Sequence, residues 1–452
     1  MEGSEKMKKN ILLFFLMLGI ALIIPSKIFA EENLQNLIDS LDDGAVLHLE
    51  NKTYEGNIVI DKPIEIIGQN QTVIKGDGKG NTISIKTSGV TIRNVTVTHG
   101  SMNLNSSEEF AGIKVYEDGN IIDSVTVKHS FHGIYLSQSH HNTIQNSHII
   151  GLGKGEIAKQ GNGLHIYYSN DNILKNNVVE GTRDGMYFDY ANNNEIIHNH
   201  LSETRYGLHF MYSHDNHFKG NTFTFNEGGA AVMESHGNKL AQNEFIFNYG
   251  HRSFGLLLLS SFDTVIENNT FFMNQRGLYI DQSTNNLIKN NHIVKNQIGV
   301  EIWASSNEQI FTQNKIEENT IPVFALGGQG RNEWSKDGAG NDWGPQFPIL
   351  DLNQDKIGDD PIIYQSSLAE LIEDQEITYL FLKSPAITVY EKINQFFSEP
   401  KTMFEDPAPL VNNKEFKLPW IWVVTASIIV ILILLKGRQL LCITFGRNGR
   451  KT

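Results

Sequence analysis

Hydrophobic and polar residues alternate along most of this chain in a unit that recurs about every 22 positions. The unit reads most fully at Arg205–Asn221, RYGLHFMYSHDNHFKGN. A glycine opens it, apolar residues follow at every second position, and an asparagine closes it fourteen residues after the glycine. The opening glycines are Gly163, Gly185, Gly207, Gly229, Gly255, Gly277 and Gly299, with steps of 22, 22, 22, 26, 22 and 22 residues. A fixed period of this length marks a solenoid, in which each repeat covers the open face of the one before.

The columns formed by stacking the units predict the architecture. One, three and eleven positions after the glycine the residues are apolar in every unit, the last column running Leu174, Ile196, Phe218, Leu240, Ile266, Ile288, Ile310. Period-two alternation places such side chains on one face of a strand, so these columns line a core. Fourteen positions after the glycine stand Asn177, Asn199, Asn221, Asn243, Asn269 and Asn291. Asparagines stacked at the strand spacing of about 4.8 Å hydrogen-bond along the stack and satisfy turn amides. About 22 residues are too few for strand, helix and two loops, but suit three short strands and three turns. The expected fold is an all-β, right-handed parallel β-helix. A leucine-rich horseshoe is the competitor, and its leucine-asparagine consensus is absent.

The pattern also divides the chain. Residues 1–30 read as a signal peptide: Lys6, Lys8 and Lys9 precede the apolar run Ile11–Ile24, with Ala30 before a cleavage point. The β-helix is expected over 31–320. An amphipathic helix within Glu31–Leu41 covers its first turn, and short strands run from Val46 to Val97. Looser turns begin at Gly112 and Gly133, and surplus residues at Gly151–Gln160 and around Gly250–Ser253 read as extruded loops. An irregular and helical cap is expected over 321–397 and a linker over 398–418. The apolar run Pro419–Leu435, with Trp420 and Trp422 at its start, has the length of a short transmembrane helix. Lys436, Arg438, Arg447, Arg450 and Lys451 follow it, which puts the tail 436–452 in the cytoplasm and the body on the outer side of the cytoplasmic membrane.

Composition narrows the partners. A net charge of −14 disfavours nucleic acid, because binding it needs basic side chains to displace phosphate counterions. The single cysteine, Cys442, excludes internal disulfides and any metal site of paired cysteines.

Positions two and four after the glycine point away from the core and stack into a stripe. The stripe brings His209, Met211 and Met233 together, while His214 and His236 stack on neighbouring turns at the seventh position. Thioether and imidazole ligands favour Cu(I) over calcium or magnesium, so these five residues are the candidate copper ligands. The bland account of the same stripe is half-buried strand surface with methionine as gap-filler. A second candidate is calcium at Asp351, Asn353, Asp355 and Asp359, whose alternate oxygen side chains have the spacing of a calcium loop. Lys356 stands where that loop needs glycine, and no glutamate follows at its twelfth place. A carbohydrate-active β-helix (lyase, hydrolase or epimerase) is the alternative function. It requires close carboxylates or a carboxylate beside a base, for which Asp184, Asp189 and Asp215 lie near Arg183, Arg205 and His209.

The segments RYGLHFMYSHDN (Arg205–Asn216), AAVMESHGN (Ala230–Asn238), IGDDPIIY (Ile357–Tyr364) and LFLKSPAITVYE (Leu380–Glu391) together resemble the NosD family of nitrous oxide reductase maturation proteins. The resemblance implies a right-handed β-helix outside the membrane, coupled to an ABC-type ATPase and a membrane permease. It implies a binding and delivery module rather than an enzyme, one that passes copper from a copper chaperone towards the copper-sulfur cluster of nitrous oxide reductase. ATP would be hydrolysed by the partner, since no glycine-rich phosphate loop ending in Lys-Ser/Thr occurs here. A C-terminal membrane helix departs from the soluble periplasmic members of the family and suits a cell without a confining outer membrane.

Overall fold

The computed structural model describes residues 33–411, apart from 154, 251, 369–370, 373–374, 383 and 395–399. The expected signal peptide, the membrane segment 419–435, the basic tail and residues 412–418 of the expected linker lie outside the described residues. Among the described residues, no helix is long and apolar enough to cross a membrane.

The chain winds into an all-β parallel solenoid with about 22 residues per turn. Each turn contributes one strand to each of three parallel sheets, and every sheet contains 12 strands. A further partial turn is joined to the last by the bridges Ile310↔Glu333 and Lys315↔Asp342. The first and second sheets are built from three-residue strands such as His217–Lys219 and Thr222–Thr224. The third has strands of up to six residues, such as Tyr206–Met211 and Gly228–Met233.

Why the glycine opens every unit follows from crowding. A Cβ on Gly207 would lie 2.7 Å from the Gly229 carbonyl oxygen and 2.8 Å from Cδ1 of Phe223. That close approach lets large rings fill the solenoid: Phe223, Phe245 and Phe271 stack at 4.9 and 4.8 Å, almost parallel. The asparagine column is buried and continuous. Asn221 Oδ1 accepts the Asn199 backbone N–H at 2.9 Å and its side-chain N–H at 3.0 Å, while the Asn221 amide donates to the Ile196 carbonyl at 2.8 Å. Each asparagine therefore satisfies a turn amide that the strands leave over.

Both ends are closed. The helix Leu34–Asp39 buries Leu34 and Ile38 on the first turn. Gln35 exchanges two hydrogen bonds with the Val59 backbone, at 2.7 and 3.0 Å, and so satisfies the edge strand. At the other end the asparagine ladder runs through Asn314 to Asn341, whose backbone N–H donates to Asp406 at 2.8 Å. Trp343 stacks on Phe404 at 3.9 Å and donates its ring N–H to the same carboxylate at 2.8 Å. A 3-10 segment, Glu376–Phe381, and a helix, Pro385–Asn394, lie within the stretch expected to hold amphipathic helices.

Two sequence expectations are corrected. The stretch read as the start of a linker contains the strand Lys401–Asp406, which pairs antiparallel with Ile362–Ser366 and buries Met403, Phe404 and Asp406. Its charged residues and the two prolines after it suggested a linker; its short apolar core was overlooked. The core column eleven after the glycine ends at Phe311 rather than Ile310, because Ile288 pairs with Phe311. One additional residue between Trp303 and Gln309 shifts the frame.

Candidate functional site

The outer face of the third sheet is where the candidate copper ligands were expected, and it is far less open than an outward stripe suggests. Tyr135, His165 and His209 are only 3%, 4% and 9% exposed. Stacking accounts for much of this: Tyr135 lies parallel to His165 at 4.4 Å, His165 meets Tyr187 at 5.1 Å, and Tyr187 meets His209 at 4.9 Å. Segments between turns add cover, since the Tyr135 hydroxyl donates to Glu109 at 3.1 Å.

The five expected ligands fall into three groups. His209 turns towards Asp184 and Arg205. Its Nδ1 lies 3.1 Å from Asp184 Oδ2, and Arg205 grips the same carboxylate with bonds of 2.8 and 2.5 Å. Burial pushes the Asp184 carboxyl up, but the hydrogen bonds from His209 and Arg205 outweigh it and hold the group below the usual carboxylate range. Arg205 also approaches the same ring nitrogen at 3.4 Å, but the closer carboxylate favours a proton on Nδ1. A neutral ring of that form has its lone pair on Nε2, which is buried without a hydrogen-bond partner. A carboxylate behind one ring nitrogen and an open lone pair on the other is how ligating histidines are oriented in metal sites.

Met211 and Met233 form the second group. They are register partners on adjacent strands, and Met211 stands two residues beyond His209 on the same face. Met233 also packs against the outer apolar cluster of Ala231, Phe254 and Leu257, so part of its role is filling space. His214 and His236 form the third group. Their rings stack at 3.9 Å, and His214 Nδ1 accepts the His236 backbone N–H at 3.2 Å. His214 thus takes the place that Asn170 and Asn192 hold in the same turn column, where each accepts the next turn's N–H. That bond occupies one ring nitrogen and leaves the proton on the other.

A cluster the sequence reading missed lies lower on the same face. Glu109, His132 and His165 place ligand atoms within 4.8 Å of one another. The His132 Nε2 is buried and unpartnered, while its Nδ1 accepts the Asn162 N–H at 3.0 Å. The neutral ring therefore carries its proton on Nε2. Burial, with Lys114 and Arg183 nearby, pulls the His132 pKa down to about 3. Glu109 belongs to an irregular stretch outside the repeat, so no column reading could bring it to His132. A cavity of about 360 Å³ lies further along, lined by Arg252, Arg276, Tyr279, Glu301, Trp303 and Tyr379 among others. There Arg276 and Glu301 form a buried pair at 2.7 Å.

The acidic turn read as a calcium loop is tied largely to its own backbone, though Asp351 Oδ1 is buried without a hydrogen-bond partner. Asp351 accepts the Lys356 N–H at 3.1 Å, Asp355 the Ile357 N–H at 2.8 Å, and Asp359 the Leu352 N–H at 2.7 Å.

Residues 152–345, the turns that carry His165, His209, Met211 and Met233, match the sequence profile of a family described as "Periplasmic copper-binding protein (NosD)". A Pseudomonas aeruginosa protein named "Probable ABC transporter binding protein NosD" is 25% identical over 131 residues. The chain is NosD-like. The aligned region spans 29% of this NosD-like chain and 31% of that relative. Among solved structures, the A-module of the Azotobacter vinelandii mannuronan C-5 epimerase AlgE6 superposes with a TM-score of 0.57 at 14% identity, over 69% of this chain and 94% of that one. PfbA, a surface adhesin of Streptococcus pneumoniae, gives 0.51 at 15% identity, over 67% and 87%. An epimerase and an adhesin on one scaffold establish the solenoid, not the chemistry.

Proposed function

We propose that this protein is an extracytoplasmic accessory protein that handles copper for the maturation of nitrous oxide reductase. On this reading it is a binding and delivery module, not an enzyme. It takes copper from a copper chaperone and works with an ABC-type ATPase and its permease, anchored by the apolar segment 419–435. The observation that carries the reading is the His209 ring: Asp184 holds Nδ1, and the buried Nε2 lacks a hydrogen-bond partner, while Met211, two residues on along the same strand, is in register with Met233. Copper is cargo here. One imidazole and two thioethers offer Cu(I) soft, uncharged donors that bind without fixing it irreversibly. The description of the NosD family and the name of the Pseudomonas aeruginosa relative support the copper and transporter parts of the proposal.

The carbohydrate-active alternative meets a physical obstacle. Asp184, the best-placed carboxylate, is already bound by Arg205 and His209. Lys114, Tyr135 and His165 are buried rather than lining an open groove.

The test is made in cells. Deleting this chain should leave nitrous oxide reductase present but lacking its copper-sulfur cluster, and the wild-type chain should restore the cluster. A His209→Ala/Met211→Ala/Met233→Ala variant should not restore it. Full cluster assembly without the chain would refute the proposal.

A further inference from the structure

Seven consecutive strands of the third sheet, from His132–Ser137 to Arg276–Asp281, are each followed by a corner residue in the left-handed region. That position is Gln138, Tyr168, Tyr190, Tyr212, Glu234, Ser260 and Gln282 on successive turns, with φ between 46° and 53°. Small polar residues enter this region readily, whereas a bulky aromatic is strained there. Three consecutive turns nevertheless carry tyrosine. The rings are 43%, 42% and 39% exposed and stack with centroids 4.7 and 4.9 Å apart. A solvent-facing tyrosine ladder adds nothing to the core, and an exposed aromatic surface of this kind is what protein partners use.

The ladder has a direct neighbour. Tyr212 follows Met211 in sequence, and Glu234 follows Met233. Beyond the corner stands the stacked pair His214 and His236. The corner segments 167–172, 189–194, 211–216 and 233–238 contain Asp171, Asp189, Asp215 and Glu234, and neither lysine nor arginine. The surface is therefore aromatic and acidic, and it borders the proposed copper ligands.

We infer that this corner is the docking surface for the protein that accepts copper from Met211 and Met233, and that the acceptor presents a basic patch beside its own metal site. The inference rests on the copper-handling reading. Tyrosine is enriched among residues that dominate protein interfaces, and opposite charge steers and registers the encounter. An acidic rim repels anionic lipid and polyuronate chains alike. The tyrosine faces are also spent on one another, leaving edges and hydroxyls for a partner.

The experiment uses the full chain in detergent micelles, with copper-free nitrous oxide reductase as the probe. Glutamine occupies the corner on two other turns, so Tyr168→Gln/Tyr190→Gln/Tyr212→Gln should fold, with an unchanged or higher Tm. Binding of the reductase should weaken at least about tenfold, with an unchanged Cu(I) affinity, and wild-type binding should weaken as salt rises. A variant that binds the reductase as tightly as wild type overturns the inference, as does a wild-type chain that binds only the copper chaperone. Loss of Cu(I) affinity in the variant would also overturn it, by making the tyrosines part of the metal site. If the wild-type chain binds no Cu(I), the copper reading itself fails, whichever way the docking result falls.

Discussion

Asp184 and His132 show how single residues on this face set both chemistry and stability. The folded pKa of Asp184 is depressed, so its contribution is present above the ordinary carboxylate range near 3.9 and is lost as pH falls through the lower folded value. Asp184→Asn should therefore flatten the acid limb of a stability–pH profile measured by urea unfolding. At pH 7 the same change should cost ~2 kcal/mol, below the ~3–5 kcal/mol of a fully enclosed pair. The Arg205 side chain keeps 25% of its surface exposed and is partly screened. His132 works over a different range. Its folded pKa is lowered to about 3, so its neutral burial stabilises fully above about pH 6.5 and loses that contribution as pH falls towards 3. One proton gives a slope of ~1.4 kcal/mol per pH unit across that range. His132→Asn, which keeps an acceptor for the Asn162 N–H, should remove that one-proton share of the slope and leave the share of the neighbouring His165, whose pKa burial also holds well below its ordinary value. An unchanged profile would mean that the ring is hydrated in the folded protein.

At the scale of the turn, the asparagine ladder and the phenylalanine stack are the repeating devices. Asn221→Ala would take the acceptor away from both the backbone and the side-chain N–H of Asn199 inside the corner. With ~1–3 kcal/mol for each buried unsatisfied group, a loss of about 3 kcal/mol in chemical denaturation is expected. Phe245→Ala, in the middle of the stack, should cost ~3–5 kcal/mol because neighbours on both sides cannot close the gap. The asparagine ladder was legible in the sequence because it occupies a fixed column: Gly207, Phe218 and Asn221 announce strand, core and turn by spacing alone, whereas the Phe223–Phe245–Phe271 column two residues further on went unread. Legibility ended where the column was interrupted. The additional residue after Trp303 moved the core from Ile310 to Phe311. The strand Lys401–Asp406 is a single non-repeating pairing with Ile362–Ser366, and nothing in its local pattern names its partner.

The solenoid within the described residues is a stack of turns closed at both ends, and its three faces are not equivalent. Longer strands and interposed segments concentrate polar and aromatic side chains on the outside of the third sheet. Column reading found His209, Met211 and Met233 on that face because a solenoid converts sequence period into adjacency. It placed Asp184 near Arg205 and His209, but as a carboxylate for sugar chemistry and not as the group that holds the His209 ring. That pairing joins the residue before the glycine on one turn to the residue two after it on the next. Nor did it foresee Glu109 beside His132 and His165, which depends on a stretch outside the repeat. The stacked His214 and His236 did meet as expected, but in a turn ladder.

The central claim is that copper binds on the outer face of the third sheet, at His209, whose Nδ1 Asp184 holds, and at the Met211–Met233 pair. The most direct test is an anaerobic titration of the full chain with Cu(I) against a competing chelator. It would be run beside His209→Ala/Met211→Ala/Met233→Ala and His214→Ala/His236→Ala variants of confirmed fold. One Cu(I) bound tightly by the wild type, retained by the variant lacking the turn histidines and lost by the triple variant, is the result expected. Equal binding by wild type and triple variant, or loss in the variant lacking His214 and His236, would contradict the assignment of the site.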